Sequence, residues 1–484
     1  MGKYSLIFVN YVMRICFFLV SLSIMASVLI KWSINYPHEL VKNIGGIVFL
    51  TCLLGVILYI TRKVKGSTFI LVLLVSTLIL QIGWIIWSEV QPISDFSYML
   101  NGAKHIANGK FTAVKADDYF FWYTTQLGYP LLEAFIIYFS SGSLLVLQFS
   151  NALFIVGTIY LLYTIGKICV NEQAGKITAL LYASYIGLFT MVPVLTNQHS
   201  SAFFIFLSLR LLLHPQFKRT IWMKILVGLF LALGNILYPI GALFILSLLF
   251  YIIFYFKVDN QKFGLIEKIK SLVLIVGTYS LTIFLFSTAL INLGISNHGI
   301  QHYDNNWKFV LGLNQETNGQ YSLDDFNKLL PAYLARDEKK HAEIEMKLIK
   351  ERLEDPKQVV ELMRDKSIYM WGMPSDSYKY AAIYPVDLVE EKALKVPYIR
   401  LENSQYAVIC LFMLITSIGL LATAHRLMDN ELNLYTIFMI GGFLIYLIIE
   451  IQIRYRYFFI PIMCLLASYS FSWVMNRFEK KRTT

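Results

Sequence analysis

Long apolar runs separated by short polar breaks set most of the predicted elements. Twelve runs are read as membrane spans, at 8–30, 44–60, 67–87, 143–165, 174–193, 200–213, 222–237, 240–256, 271–291, 406–427, 434–450 and 457–475. The third carries no charge over its whole length, and about 20 apolar residues suffice to cross the hydrocarbon core. The runs at 200–213, 222–237 and 240–256 are short. Asn235-Ile236-Leu237-Tyr238-Pro239 divides one long apolar stretch, because proline cannot continue a helix without losing a hydrogen bond. A single kinked helix is the alternative there.

Between the third and fourth spans, 96–108 has the helical spacing of apolar Met99, Leu100, Ala103 and Ile106. The segment 129–141 is too short to span and contains Glu133, so it is expected to lie at the membrane surface. Residues 292–405 differ from the rest. They hold helix-like charged stretches at 337–353 and 356–370, begun by Asp337 and Pro356. The predicted fold is therefore an all-α polytopic membrane protein with three parts. These are a bundle at 1–291 with an outer loop at 88–142, a mixed extracytoplasmic cap at 292–405, and C-terminal membrane helices at 406–484.

The chain is 57% hydrophobic with a net charge of +11. In a soluble protein that charge would suggest nucleic acid, but membrane proteins keep Lys and Arg in cytoplasmic loops. With an inside N-terminus, Arg62, Lys63, Lys65, Lys167, Lys176 and the basic C-terminal tail fall on the cytoplasmic side, and the outer short loops hold fewer cations. That bias predicts both termini inside and 88–128 outside, in a plasma membrane. Lys3 and the run after it read as a retained span rather than a cleaved signal. None of the five cysteines falls in the cap, so neither a disulfide framework nor a CxxC metal site is visible.

Candidate chemistry gathers at the outer ends of the spans. Asp95 follows the third span beside Ser94, and either residue could cap the helix after it. Alternatively, Asp95 is a carboxylate fixed at the membrane surface and able to deprotonate a hydroxyl. Glu450 and Arg454 are four apart and would share a face if the helix continued. Two arginines, Arg454 and Arg456, flank Tyr455 on the side that normally lacks cations, and a guanidinium can hold a phosphate bidentately. Thr196-Asn197-Gln198-His199 is a polar outer turn that reads equally as structure. His298, His302 and Asp304 approach metal-ligand spacing, although Gly299 interrupts it. Phe120, Phe121, Trp122 and Tyr123 form either an interfacial belt or a sugar-stacking surface. No P-loop, dinucleotide fingerprint or serine elbow is present, and no cytoplasmic loop is long enough for a nucleotide-sugar domain.

The order of these motifs resembles the C-type superfamily of integral-membrane glycosyltransferases, especially bacterial relatives of protein O-mannosyltransferases and of the lipid A aminoarabinose transferase. The resemblance rests on Pro92-x-x-Asp95 with Ala103 and Gly109, then Gly128-Tyr129-Pro130, and a late Glu450-x-x-x-Arg454-Tyr455 with Pro461. Gly312-Leu313-Asn314 with Gly319, Tyr321 and Asp324 looks like the outer-loop pattern of low-GC Gram-positive members. It implies inverting glycosyl transfer from a polyprenyl-phosphate-linked sugar to a cell-surface polymer, lipid or protein. Asp95 would be the catalytic base and Arg454 the contact to the carrier phosphate. Glu133 falls in the surface-helix region where relatives carry an acid, and with Asn197 it joins His199, Glu450, Tyr455 and Arg456, singled out by their own placement, as the candidate substrate-binding residues. Asn197 stands where many members have a second acid, so metal dependence does not carry over. The competing class is a flippase or polymer transporter for lipid-linked oligosaccharides, which would not need an outer carboxylate backed by a cap.

Overall fold

The computed structural model describes residues 3–35, 40–256, 264–300, 306–372, 377, 392–425 and 431–483. Among them the chain is helical, with no strand. Among the described residues six helices are long and apolar enough to cross a membrane: Leu6–Ile34, Lys42–Thr61, Gly66–Ser88, Leu144–Cys169, Gly264–Asn292 and Pro397–Ala422. Shorter apolar helices at Ile221–Leu237, Gly241–Phe254, Leu432–Ile448 and Ile460–Phe471 complete a multi-pass membrane bundle. The break at Tyr238-Pro239 separates two helices rather than kinking one.

The run at 174–193 is not one helix. It divides into Glu172–Ser184 and Ile186–Met191, with Tyr185 extended between them, and unwinds around Pro193. Unwound backbone at membrane depth needs partners for its carbonyls. Two buried amides of the helix Leu144–Cys169 supply them. Asn151 donates to the carbonyls of Val192 and Val194 at 3.2 and 3.0 Å, and Gln148 donates to those of Val90 and Pro193 at 2.9 Å each. The polar turn at 195–198 is thereby held in place at the head of the helix Gln198–Leu212.

Segments placed on one side by charge do meet at one end. Lys176 donates to the carbonyls of Thr61 and Val64, Lys224 pairs with Glu267, and Asn10 donates to the Ala424 carbonyl. The opposite end carries the first loop and the cap. The loop contains the expected helices Asp95–Ala107 and Gly128–Ser140. The cap, expected to be mixed, is helical among its described residues: Trp307–Gly312, Leu323–Leu334, Glu338–Arg352 and Pro356–Gly372. The Asp337 carboxylate accepts from the Lys340 amide, the N-cap bond its position predicts.

The cap is joined to the bundle at the end of the helix Leu432–Ile448. That helix stops because Ile449 is extended, so Glu450 and Arg454 do not share a helix face. A short 3-10 turn, Ile453–Phe458, follows instead. A helix C-terminus leaves carbonyls without partners, and here Lys366 of the cap donates to those of Leu447 and Ile449, both at 2.9 Å, and to Gly312 at 2.7 Å. The Glu450 amide then donates to the Lys308 carbonyl at 2.7 Å, and that of Ile451 to Gly319 at 2.8 Å. Gly312 lies directly on this turn, where a Cβ would meet the backbone of Ile448, Ile449 and Glu450. Gly312→Ala is therefore expected to displace the turn, lowering thermal stability and activity together; a variant as stable and active as wild type would rule out the close packing. Trp371 seals the same joint, buried among Phe443, Tyr446 and Phe459. Removing a buried side chain of that size costs about 3–5 kcal/mol.

Candidate active site

A cavity of about 1670 Å³ opens where the first loop, the polar turn, the Tyr238-Pro239 break, the cap and the 450–455 segment converge. Its upper wall is polar, formed by Asp95, Tyr119, Gln126, Asn197, Gln198, Lys308, Tyr321, Glu450, Gln452, Arg454 and Tyr455. Its lower part is an apolar groove between the helices Gly241–Phe254 and Leu432–Ile448, walled by Leu243, Leu246, Phe250, Ile437, Ile440, Leu444 and Ile448. Leu246 and Leu444 are exposed, so the groove opens sideways toward lipid.

Asp95 opens the helix Asp95–Ala107, and Ser94 before it has φ +51° and ψ −135°. A non-glycine residue in such a region costs about 1–3 kcal/mol. Neither Ser94 nor Asp95 is used as a side-chain cap: Ser94 occupies the cap position without capping. The Asp95 carboxylate instead reaches Arg454 across 359 positions of sequence, Oδ2 to Nη2 at 3.3 Å. Of the four carboxylates among the described residues that line the cavity, three are committed elsewhere. Asp117 accepts from the Tyr119 amide at 2.8 Å, Asp118 is gripped by Arg336, and Glu450 is paired with Lys308. Asp95 is half-exposed and has one long contact. It is the carboxylate best placed to accept a proton from something in the cavity.

Arg454 belongs to a relay of polar groups. Its Nε donates to Gln452 at 2.6 Å, and Gln452 donates to Glu450 at 2.8 Å. Glu450, 2% exposed, also accepts from Lys308 and from the Tyr455 hydroxyl at 3.0 Å. Gln198 holds the backbone by donating to the Arg454 carbonyl at 3.1 Å. Burial alone would raise the Glu450 carboxyl, but Lys308, Gln452 and Tyr455 together hold it below the ordinary carboxylate range. A depressed value adds stability above the unfolded pKa, and that stability is lost as pH falls through the folded one. Lys308→Met removes the main counter-charge and lets burial dominate. The variant is thus expected to lose most stability near neutral pH, where Glu450 is charged, and to recover it as pH falls and the carboxyl is protonated, as followed by thermal stability across pH 3–7. An unchanged profile would refute the coupling.

The structure brings Asp95, Asn197, Glu450, Arg454 and Tyr455 to one cavity and leaves three sequence candidates outside it. Glu133 is buried in the helix Gly128–Ser140 and does not line the cavity; burial pushes its carboxyl well up. His199 is fully buried and joins the Met191 carbonyl to the Tyr457 hydroxyl, at 3.0 and 2.6 Å. Arg456 is turned away, with its guanidinium 4.6 Å from the Tyr406 ring centroid. Asn197 spends both amide protons on structure, donating to Gln126 and to the Leu237 carbonyl at 3.0 Å each. Lys308 is the main residue the sequence did not single out. The aromatic run at 120–123 divides, since Tyr123 lines the cavity whereas Trp122 stacks on Tyr333 and His341. Among the described residues no three His, Cys, Asp or Glu side chains form a metal-sized group; His302 and Asp304 lie outside the described residues.

No family model and no curated protein matches the chain. Among solved structures it is similar to the oligosaccharyltransferase AglB of Archaeoglobus fulgidus, in complex with an inhibitory peptide and a dolichol-phosphate. That likeness covers 87% of this chain and 52% of AglB, at 12% identity and a TM-score of 0.47, so the chain spans about half the length of that protein. It is also similar to ArnT from Cupriavidus metallidurans bound to undecaprenyl phosphate, over 84% of this chain and 78% of ArnT, at 14% identity and a TM-score of 0.33. Likeness at this level assigns no activity.

Proposed function

We propose that the protein transfers a sugar from a polyprenyl-phosphate carrier to a hydroxyl acceptor on the extracytoplasmic face. The observation that carries this reading is the meeting of Asp95 and Arg454 at the head of an apolar groove open to lipid. A single-chain isoprenoid lipid suits the groove, with its phosphate at the height of Arg454 and Lys308. The sugar would then lie among Asp95, Tyr98, Tyr119 and Tyr321, which line the cavity. As the phosphate approaches, Arg454 exchanges the Asp95 carboxylate for phosphate oxygens and leaves Asp95 able to accept a proton.

The reaction then balances as a single displacement. The acceptor oxygen attacks the anomeric carbon from the face opposite the phosphate while its proton passes to Asp95. The bond between anomeric carbon and phosphate oxygen breaks, and the lipid phosphate leaves with the electron pair. Its charge is neutralised by Arg454, with Lys308 behind. A fixed cation aimed at developing charge is worth more in a site shielded from water than in solution. Inversion at the anomeric carbon follows.

Filling the groove tests the lipid part of this reading. Gly441 lines it, and a Cβ there would point at Leu243. Gly441→Leu is expected to weaken binding of a long polyprenyl phosphate by about tenfold, or about 1.4 kcal/mol, and to spare a two-isoprene analogue. Equal effects on both chain lengths would place the lipid elsewhere. Sidedness is tested separately with single cysteines at the exposed positions Lys110, Lys339 and Lys65. Impermeant thiol reagents should label the first two in intact cells and spare the third; the reverse pattern would overturn the orientation.

A further inference from the structure

A second, smaller cavity lies behind Arg454, with a volume of about 40 Å³. Arg454 and Gln198 line both cavities and so stand between them. The small cavity is lined by two guanidiniums, Arg454 and Arg456, by the tyrosines Tyr182, Tyr185 and Tyr457, and by Ser377, and among the described residues no carboxylate is part of its wall. Arg456 is 1% exposed, and its Nε and both Nη atoms have no hydrogen-bond partner. The Tyr182 hydroxyl is likewise buried without one. The nearby acid Glu402 accepts from Tyr185 and Ser377 at 3.3 Å each and stays outside the lining.

A buried guanidinium without a counter-charge costs several kcal/mol. Its cation–π contact with Tyr406 offsets part of that cost but brings no negative charge. Water would satisfy donors here without neutralising the charge, whereas a small anion does both. A water needs roughly 10–15 Å³, so the space admits a halide with one or two waters and excludes a sugar or a lipid headgroup.

We propose that this cavity is a binding site for a small inorganic monovalent anion of chloride size, held by Arg456 and the Tyr182 hydroxyl. The ion enters past Arg454 and Gln198, which line both cavities. The site does not depend on the sugar-transfer reading, and each can fail without the other.

The test uses the full chain in detergent, with chloride or bromide compared with gluconate at equal potassium concentration. Ligand that binds the folded state raises the melting temperature by mass action. Wild type is expected to melt about 2 °C higher in halide than in gluconate, and Arg456→Met should abolish the difference. Tyr182→Phe keeps the cation and should shift half-saturation to higher halide, which covers the case in which Arg456→Met does not fold. Crystals grown in bromide should show an anomalous peak beside the Arg456 guanidinium. Water alone at that position, or an equal halide effect in wild type and Arg456→Met, would overturn the site.

Discussion

Asp95→Asn is expected to reduce sugar transfer by about 100- to 10,000-fold, the usual worth of a general base, without loss of stability. The substitution is well matched to the question. Asn tolerates a helix start about as well as Asp, and neither Ser94 nor Asp95 caps this helix through its side chain, so folding gives no reason for loss. An amide oxygen can still accept from Arg454, yet it cannot take up the acceptor's proton at neutral pH. Purified wild type and variant would be compared for melting temperature and for turnover of a polyprenyl-phosphate sugar. A stable variant that retains most of its turnover would remove Asp95 from the chemistry.

Arg454→Ala is expected to have the second large effect, through the donor. The guanidinium is held from two sides, by Gln452 and by Asp95, and 19% of the side chain is exposed to the cavity. It therefore meets a phosphate already oriented. Losing a charge-assisted bidentate contact should raise the KM for the lipid donor and lower kcat, together by about 100-fold or more. Arg454→Lys should recover part of this, because an ammonium keeps the charge and loses the fork. Full activity in the alanine variant at normal expression would sink the assignment. Full recovery in the lysine variant would show that charge alone, without the fork, meets the phosphate.

Much of the scaffold was legible because its signals are local. Apolar runs marked most of the membrane helices, Pro239 marked a break, and Asp337 and Pro356 marked helix starts in the cap. Asp95 and Arg454 could each be selected as a charged group at the end of a span. Their contact could not be read, because a distance of 3.3 Å between residues 359 apart depends on how the helices pack. The expected Glu450–Arg454 face failed for a tertiary reason. The helix ends at Ile449, where Lys366 and the amide bonds to the cap replace the next helical turn, and nothing local to 447–454 announces Lys366. Lys308 was hidden likewise, as one basic residue in a polar loop until Glu450 is placed against it. Glu133 and His199 lie outside the cavity, and polarity in an apolar segment suits a buried structural role as well as a functional one.

The most direct test of the central claim is to reconstitute the purified protein in vesicles whose outer leaflet carries polyprenyl phosphate linked to a radiolabelled sugar. A hydroxyl-bearing cell-surface glycan extract would be supplied outside. Label is expected to leave the lipid and appear in the glycan with inverted anomeric configuration, free polyprenyl phosphate to accumulate in equal amount, and Asp95→Asn vesicles to do neither. Intact lipid-linked sugar that is recovered unchanged, or that has only moved to the inner leaflet, would contradict the central claim and identify the protein as a transporter of the carrier.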